Sequence, residues 1–191
     1  MRPAHLLVAV TLAVACTPAE PPANTAAAAP AASTLIPDLL RDVGEVEQKL
    51  VDLAKAIPAD KYGYRPGAGV RSVGEVVLHV ASDNYFMPAA IGTAAPAATG
   101  ITGDNYETTV AYEKRAVSPD SAVKELQASF AFLKQAMQAQ APAALEAKSN
   151  MFGSEYTGQQ VWIMATTHLH EHLGQMIAYA RANNIVPPWS K

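Results

Sequence analysis

Apolar residues recur at intervals of three and four positions in four separate stretches of the chain, and this spacing predicts amphipathic helices. The first stretch covers residues 35–57 and ends before Pro58, which cannot continue a helix. The second begins at Ser72, where Glu75 three residues later completes a capping box, and it runs to about Met87. Each pattern predicts a helix with one face turned towards a core.

The third and fourth helices are predicted in the second half of the chain. Ser118 is suited to cap the third helix and Pro119 to occupy its first position. The fourth pattern is the longest and runs from about Gly158 to Asn183. Four such helices predict an all-α fold, a four-helix bundle over residues 35–191. Bundles build metal sites in their cores from side chains on facing helices.

The connecting segments are rich in residues that favour turns. Residues 58–69 combine glycine, proline and aspartate, and residues 92–103 are mostly small. We expect both to be loops, the second lying on the surface or forming a lid at one end of the bundle. A brief strand is predicted only at residues 106–110.

Residues 1–15 predict a signal peptide. Arg2 precedes an apolar run over residues 6–15 that is too short to span a bilayer. Cys16 follows directly, and the sequence Ala-Val-Ala-Cys resembles the lipobox of bacterial lipoproteins, in which the cysteine is lipidated. We therefore expect an exported lipoprotein, anchored on the periplasmic side of the bacterial cell envelope. Simple secretion is the alternative.

The segment from residue 16 to residue 34 consists almost wholly of alanine, proline, threonine, serine and asparagine after its cysteine. Such a composition offers little apolar surface to bury, and its prolines favour extended conformations. It predicts a disordered linker that tethers the folded domain to the lipidated cysteine.

Composition and charge exclude several classes of function. The chain has 191 residues, a formal net charge of -3 and one cysteine. There is no cluster of lysine and arginine, so nucleic-acid binding is not expected. One cysteine excludes an internal disulfide and a cysteine-based zinc cluster. Any metal must therefore be held by histidine, carboxylate and water.

Three histidines are the main candidates for chemistry. His168 and His172 are four residues apart in the fourth helix, so they lie on the same face and could hold one metal ion together. His79 lies in the second helix, from which packing could bring it in as a third ligand. The alternative is that these are ordinary core histidines, since a neutral imidazole is tolerated inside a protein when it is hydrogen-bonded.

The neighbouring His170 and Glu171 fit the site less well. His170 is rotated about 200° from His168 on an ideal helix and should face away. Glu171 is expected to point to neither side of the pair. A zinc-protease motif would need glutamate directly after the first histidine, where Leu169 stands instead.

Three motifs resemble the DinB-like (DinB/YfiT) superfamily over roughly residues 35–189. They are the second-helix segment 71–81, the preceding Pro-x-x-Lys-Tyr-x-Tyr-x-Pro at 58–66, and the His-x-x-x-His-x-Gly-Gln at 168–175, which Tyr-Ala-Arg follows at 179–181. The resemblance implies a four-helix bundle with up-down-down-up topology. It also implies a divalent metal ion, nickel or zinc most often, whose ligands by position are His79, His168 and His172.

Helix phase suggests which polar residues surround such a site. Asp83 follows His79 by four residues, and Gln175 follows His172 by three. Either could fix the tautomer of an imidazole or act as a general base. Glu75 lies four residues before His79, but it already has a role in the capping box.

A metal with three histidine ligands keeps an open position for water or substrate, which is typical of a catalytic site. Members of this family include metal-dependent hydrolases and thiol-dependent transferases. An exported location disfavours a cytosolic thiol, so we expect a hydrolase that uses a metal-activated water on an unknown small-molecule substrate. The alternatives are a metal- or ligand-binding envelope bundle without catalysis, a thiol-dependent transferase, and a structural bundle without metal.

Contact with the membrane is expected through the lipid alone. Relatives often dimerise, so a homodimer is a further expectation.

Overall fold

The computed structural model describes residues 34–190 of the chain. The predicted signal peptide, Cys16 and the linker up to residue 33 lie outside the described residues. Eight elements of secondary structure follow, apart from short 3₁₀ turns: α1 (Leu35–Ala56), α2 (Val73–Ala90), α3 (Glu107–Glu113), α4 (Pro119–Gln138), α5 (Pro142–Glu146), β1 (Lys148–Met151), β2 (Ser154–Thr157) and α6 (Gly158–Ala182).

The four long helices begin where the local sequence predicts. Ser72 Oγ accepts a hydrogen bond from the Glu75 amide, and the Glu75 carboxylate accepts one from the Ser72 amide, so the predicted capping box is present at α2. Ser118 caps α4, with Pro119 at its first position. Thr157 begins α6 with a second capping box that the sequence analysis did not identify. These caps supply partners for amide groups that the first turn of each helix leaves unpaired.

The arrangement of α1, α2, α4 and α6 confirms the predicted bundle. Helices α1 and α2 each pack against α4 and α6, and α2 also packs against the short helix α3. Helix α4 runs antiparallel to α1 and parallel to α2, and α6 runs antiparallel to α2, which gives the up-down-down-up topology. Between α1 and α4, the neighbouring pairs are Glu47–Lys134 and Ala54–Val123. Between α2 and α4, they are Leu78–Ala122 and Asn84–Ser129. Between the α2 region and α6, they are Arg71–Tyr179 and His79–His168.

The predicted strand at residues 106–110 is wrong, because this segment is the start of α3. Thr109 is buried there and its hydroxyl donates to the Tyr106 carbonyl, as in a helical turn. Strands occur instead at β1 and β2, which pair as an antiparallel hairpin. Each has only four residues, too few for an alternating pattern to be recognised.

Helix α2 is enclosed by the rest of the domain over most of its length. Every residue from Val76 to Pro88 is buried, including the polar residues His79, Asp83 and Asn84. Buried polar side chains need partners inside the protein, so this helix concentrates the polar contacts of the core. Among the described residues, no helix is long and apolar enough to span a membrane.

Candidate metal centre

The three predicted histidines lie together between α2 and α6. His168 Nε2 is 3.1 Å from His79 Nε2 and 2.9 Å from His172 Nε2. The side chains of His79 and His172 are buried, and that of His168 is partly exposed. Of the described residues, these three form the group of ligand atoms close enough to hold a metal ion, all within 4.8 Å of one another.

Glu113 determines the tautomer of His79. Its Oε1 atom is 2.6 Å from His79 Nδ1, and its Oε2 atom accepts a hydrogen bond from Arg71 Nε at 2.9 Å. Burial alone raises the pKa of Glu113, but the hydrogen bonds from His79 and Arg71 outweigh burial and lower the pKa below its usual value. An ionised carboxylate only accepts hydrogen bonds, so His79 carries its proton on Nδ1. When this imidazole is neutral, its lone pair is on Nε2, which is directed at the other two histidines.

A chain of three hydrogen bonds determines the tautomer of His172. The Tyr179 hydroxyl donates to the Arg71 carbonyl at 3.1 Å and accepts from Gln175 Nε2 at 2.9 Å. Because the amide nitrogen of Gln175 faces Tyr179, its oxygen faces His172 Nδ1, at 2.7 Å. An amide oxygen is an acceptor, so His172 carries its proton on Nδ1 and has a free lone pair on Nε2.

His168 completes the cluster as a neutral imidazole. Burial, together with the nearby His172 and His79, lowers the pKa of His168 to about 3. At least two Nε2 lone pairs thus meet within hydrogen-bonding distance of a third Nε2 atom. Neutral imidazoles with Nδ1 held by a hydrogen-bond acceptor are common ligands of zinc and nickel in proteins, so the donor set fits a divalent ion.

Asp83 lies beside this cluster and has an unpaired oxygen. Its Oδ2 atom is 3.2 Å from His168 Nε2 and 3.8 Å from His79 Nε2. Within residues 34–190, its Oδ1 atom is buried without a hydrogen-bond partner. Burial raises the pKa of Asp83 to about 6, although His79 opposes that shift. A buried carboxylate oxygen without a partner is costly, and a bound cation or a water molecule would satisfy it.

Three neighbouring residues differ in their relation to the site. His170 lies on the exposed side of α6, with Nε2 2.8 Å from Asp42, so it faces away as helix phase predicts. Glu171, expected to point to neither side, instead lines the cavity at the histidines with an exposed side chain. Glu75 forms an ion pair with Arg65 and keeps its capping role, away from the histidines.

Glu113 and Arg71 are the polar neighbours that the sequence analysis did not identify. Glu113 ends α3, three residues after the segment interpreted as a strand, and is 34 residues from His79. One signal was present in the sequence, because Tyr106, Thr109 and Glu113 share one face when the segment is read as a helix. A carboxylate on a buried helix face requires a partner.

A cavity of about 370 Å³ opens onto the histidines. One part of its wall is polar and charged, formed by the three histidines, Asp83, Arg71, Thr167 and Glu171. The other part is apolar, formed by Met87, Tyr106, Phe152 and Met164. Concave sites with a few polar groups at one end and an apolar wall are typical of small-molecule binding.

The fold and the cluster define a class, a helical bundle with three histidines facing a cavity between two of its helices. The family model of the DinB superfamily matches residues 43–176, and the chain belongs to this superfamily. No curated protein matches the chain.

Solved structures share the fold at low sequence identity. A DinB-like protein from Bacillus cereus is 14% identical, with a TM-score of 0.65, over 80% of this chain and 95% of that one. YfiT from Bacillus subtilis, described as a probable metal-dependent hydrolase with an unusual four-helix bundle topology, is 13% identical, with a TM-score of 0.63, over 79% and 89% of the two chains. A mycothiol-dependent maleylpyruvate isomerase is 13% identical, with a TM-score of 0.59, over 74% of this chain and 60% of that one.

Proposed function

We propose that this chain is an exported metal-dependent hydrolase that binds one nickel or zinc ion through His79, His168 and His172. The observation that carries the proposal is the convergence of the three Nε2 atoms, two of which present lone pairs because Glu113 and Gln175 hold the opposite ring nitrogens. Without a cation, His168 Nε2 could donate one proton at most, so it could satisfy only one of these two lone pairs.

The residues of this chain would divide the work of hydrolysis. A divalent ion held by the histidines would lower the pKa of a water molecule and polarise the bond to be cleaved. Asp83 is within hydrogen-bonding distance of His168 Nε2 and has one oxygen free, which suits it to accept a proton at the same place. Glu113 and Gln175 would keep two imidazoles in the binding orientation. The cavity would admit a small-molecule substrate.

Metal analysis of tag-free protein and a panel of ester and amide substrates test this proposal. We expect about one ion per chain in the wild type and its loss in His79→Ala and His172→Ala. Asp83→Asn is the discriminating variant, because a catalytic role predicts retained metal with hydrolysis lost. Absence of metal in the wild type, or its retention in both histidine variants, would overturn the metal site. Metal that supports no hydrolysis in any condition would favour a binding bundle.

Thiol-dependent transfer is the second candidate, and the fold shared with a mycothiol-dependent isomerase favours it. A low-molecular-weight thiol would then occupy the cavity in place of water. The two candidates separate in one measurement, since a transferase consumes thiol in proportion to product and a hydrolase turns over without it.

The exported location and a membrane attachment through the Cys16 lipid alone are proposed from the amino-terminal sequence. A function without a nucleic-acid partner is proposed from the net charge of -3 and the lack of a lysine and arginine cluster in the sequence. Expression with labelled palmitate tests the attachment. We expect the label and the membrane association in the wild type and the loss of both in Cys16→Ser. A soluble, unlabelled wild-type protein in the periplasm would indicate simple secretion.

A further inference from the structure

Phe152 occupies an unfavourable position in the β1–β2 hairpin. It forms the two-residue turn with Gly153, and both residues have positive φ, 54° and 76°. Turns of this kind favour Asn-Gly or Asp-Gly, and a bulky aromatic residue with positive φ is strained. The side chain is also 54% exposed. Phe152 thus combines a strained backbone conformation with an exposed apolar side chain. Residues that break local preferences in this way are concentrated at functional sites.

The ring of Phe152 lies at the edge of the cavity that holds the histidines. Its centroid is 5.1 Å from that of Tyr106 and 5.7 Å from that of Phe86. Together with Met87 and Met164, Phe152 and Tyr106 form the apolar wall of the cavity. Methionine side chains adapt to ligands of different shape, so this wall can accommodate an apolar group beside the polar cluster.

We infer that the apolar wall binds an aryl or bulky alkyl group of the substrate while the reacting polar group lies at the histidines. This inference rests on the proposed function. The physical reason is that one cavity contains both surfaces, so a ligand that reaches the histidines can bury its apolar part against Phe152. That burial would remove apolar surface of the ligand and of the exposed ring from water.

Two hydroxamates that differ only in their apolar group test the inference on cobalt(II)-loaded protein, with visible absorption as the readout. Acetohydroxamate carries a methyl group and benzohydroxamate a phenyl group beside the same metal-binding atoms. We expect the phenyl compound to bind the wild type at least about tenfold more tightly. Phe152→Asn should reduce that ratio to about twofold or less, because it removes the ring and keeps a residue that suits the turn.

Two controls separate binding from structure. Trp189, 40% exposed in the turn at Pro188–Ser190 and absent from the cavity wall, provides a matched variant, Trp189→Asn, which should leave the ratio unchanged. Thermal melting should show Phe152→Asn at least as stable as the wild type, since Asn-Gly relieves the turn. An unchanged ratio in Phe152→Asn would overturn the inference.

A second measurement judges the inference without metal. In metal-free protein with labelled methionine methyl groups, benzyl alcohol should shift the NMR signals of Met87 and Met164 in the wild type and shift them far less in Phe152→Asn. If the protein does not bind cobalt, the proposed metal site is contradicted. The NMR comparison then tests the apolar wall by itself. Equal shifts in both proteins, or none in the wild type, would overturn the inference.

Discussion

The two halves of the bundle bury different kinds of side chain. Where α1 meets α4, residues such as Leu53 and Phe130 are completely buried, and the contact consists mainly of apolar packing. Where α2 meets α6, the buried residues include His79, Asp83 and His172, and one carboxylate oxygen has no partner. One half therefore supplies stability, and the other carries a polar cluster whose stability depends on what binds there.

The largest expected effect comes from the apolar half. Phe130→Ala removes a fully buried ring from α4 and should lower the free energy of unfolding by about 3–5 kcal/mol, because a cavity remains where the ring packed. Urea denaturation measures this loss. The metal content of the folded fraction should not change, since Phe130 does not line the cavity at the histidines. If Phe130→Ala lost its metal while keeping the stability of the wild type, metal binding would depend on the packing of the apolar half.

Metal removal should lower the stability of the protein through the polar half, where the histidines lie. A ligand that binds the native state alone stabilises it by about 2.7 kcal/mol when its free concentration is about 100 times Kd. We therefore expect a chelator to lower the melting temperature of the wild type and to leave that of His172→Ala unchanged. A wild-type melt insensitive to chelator would contradict the proposed centre.

Substitution of the residues that form hydrogen bonds with the imidazoles should have smaller effects, seen in metal affinity. Glu113→Gln keeps the shape of the side chain but removes the charge that His79 and Arg71 contact. We expect metal affinity to fall by about tenfold or more, as for other partners of metal-binding histidines. Competition with a chromophoric chelator measures the affinity. Unchanged affinity would mean that His79 keeps its orientation without this carboxylate.

The smallest effect is expected at His170, which lies two residues from each ligand of α6 but on the exposed side. Its contact with Asp42 is at the surface, and exposed pairs contribute about 1 kcal/mol or less. His170→Ala should therefore leave metal content unchanged and stability nearly so. A drop in metal content like that of His172→Ala would indicate that the face assignment along α6 is wrong.

Sequence patterns predicted correctly the contacts between residues that are close along the chain. The caps at Ser72 and Ser118 and the shared face of His168 and His172 involve residues three or four apart, and the helical repeat determines these contacts. The strand predicted at residues 106–110 was wrong because this segment begins the short helix α3, which has only seven residues and therefore shows a weak helical pattern.

The sequence by itself therefore determined the four long helices, the pairing of His168 with His172 and, through the family motifs, the choice of His79. Only the tertiary structure decided that Glu113 and Arg71 lie at His79 and that Phe152 lies at the edge of the cavity. His79 and Glu113 are 34 residues apart and His79 and His168 are 89 apart. Contacts over such separations depend on how whole helices pack, whereas the helical repeat acts only within a turn or two.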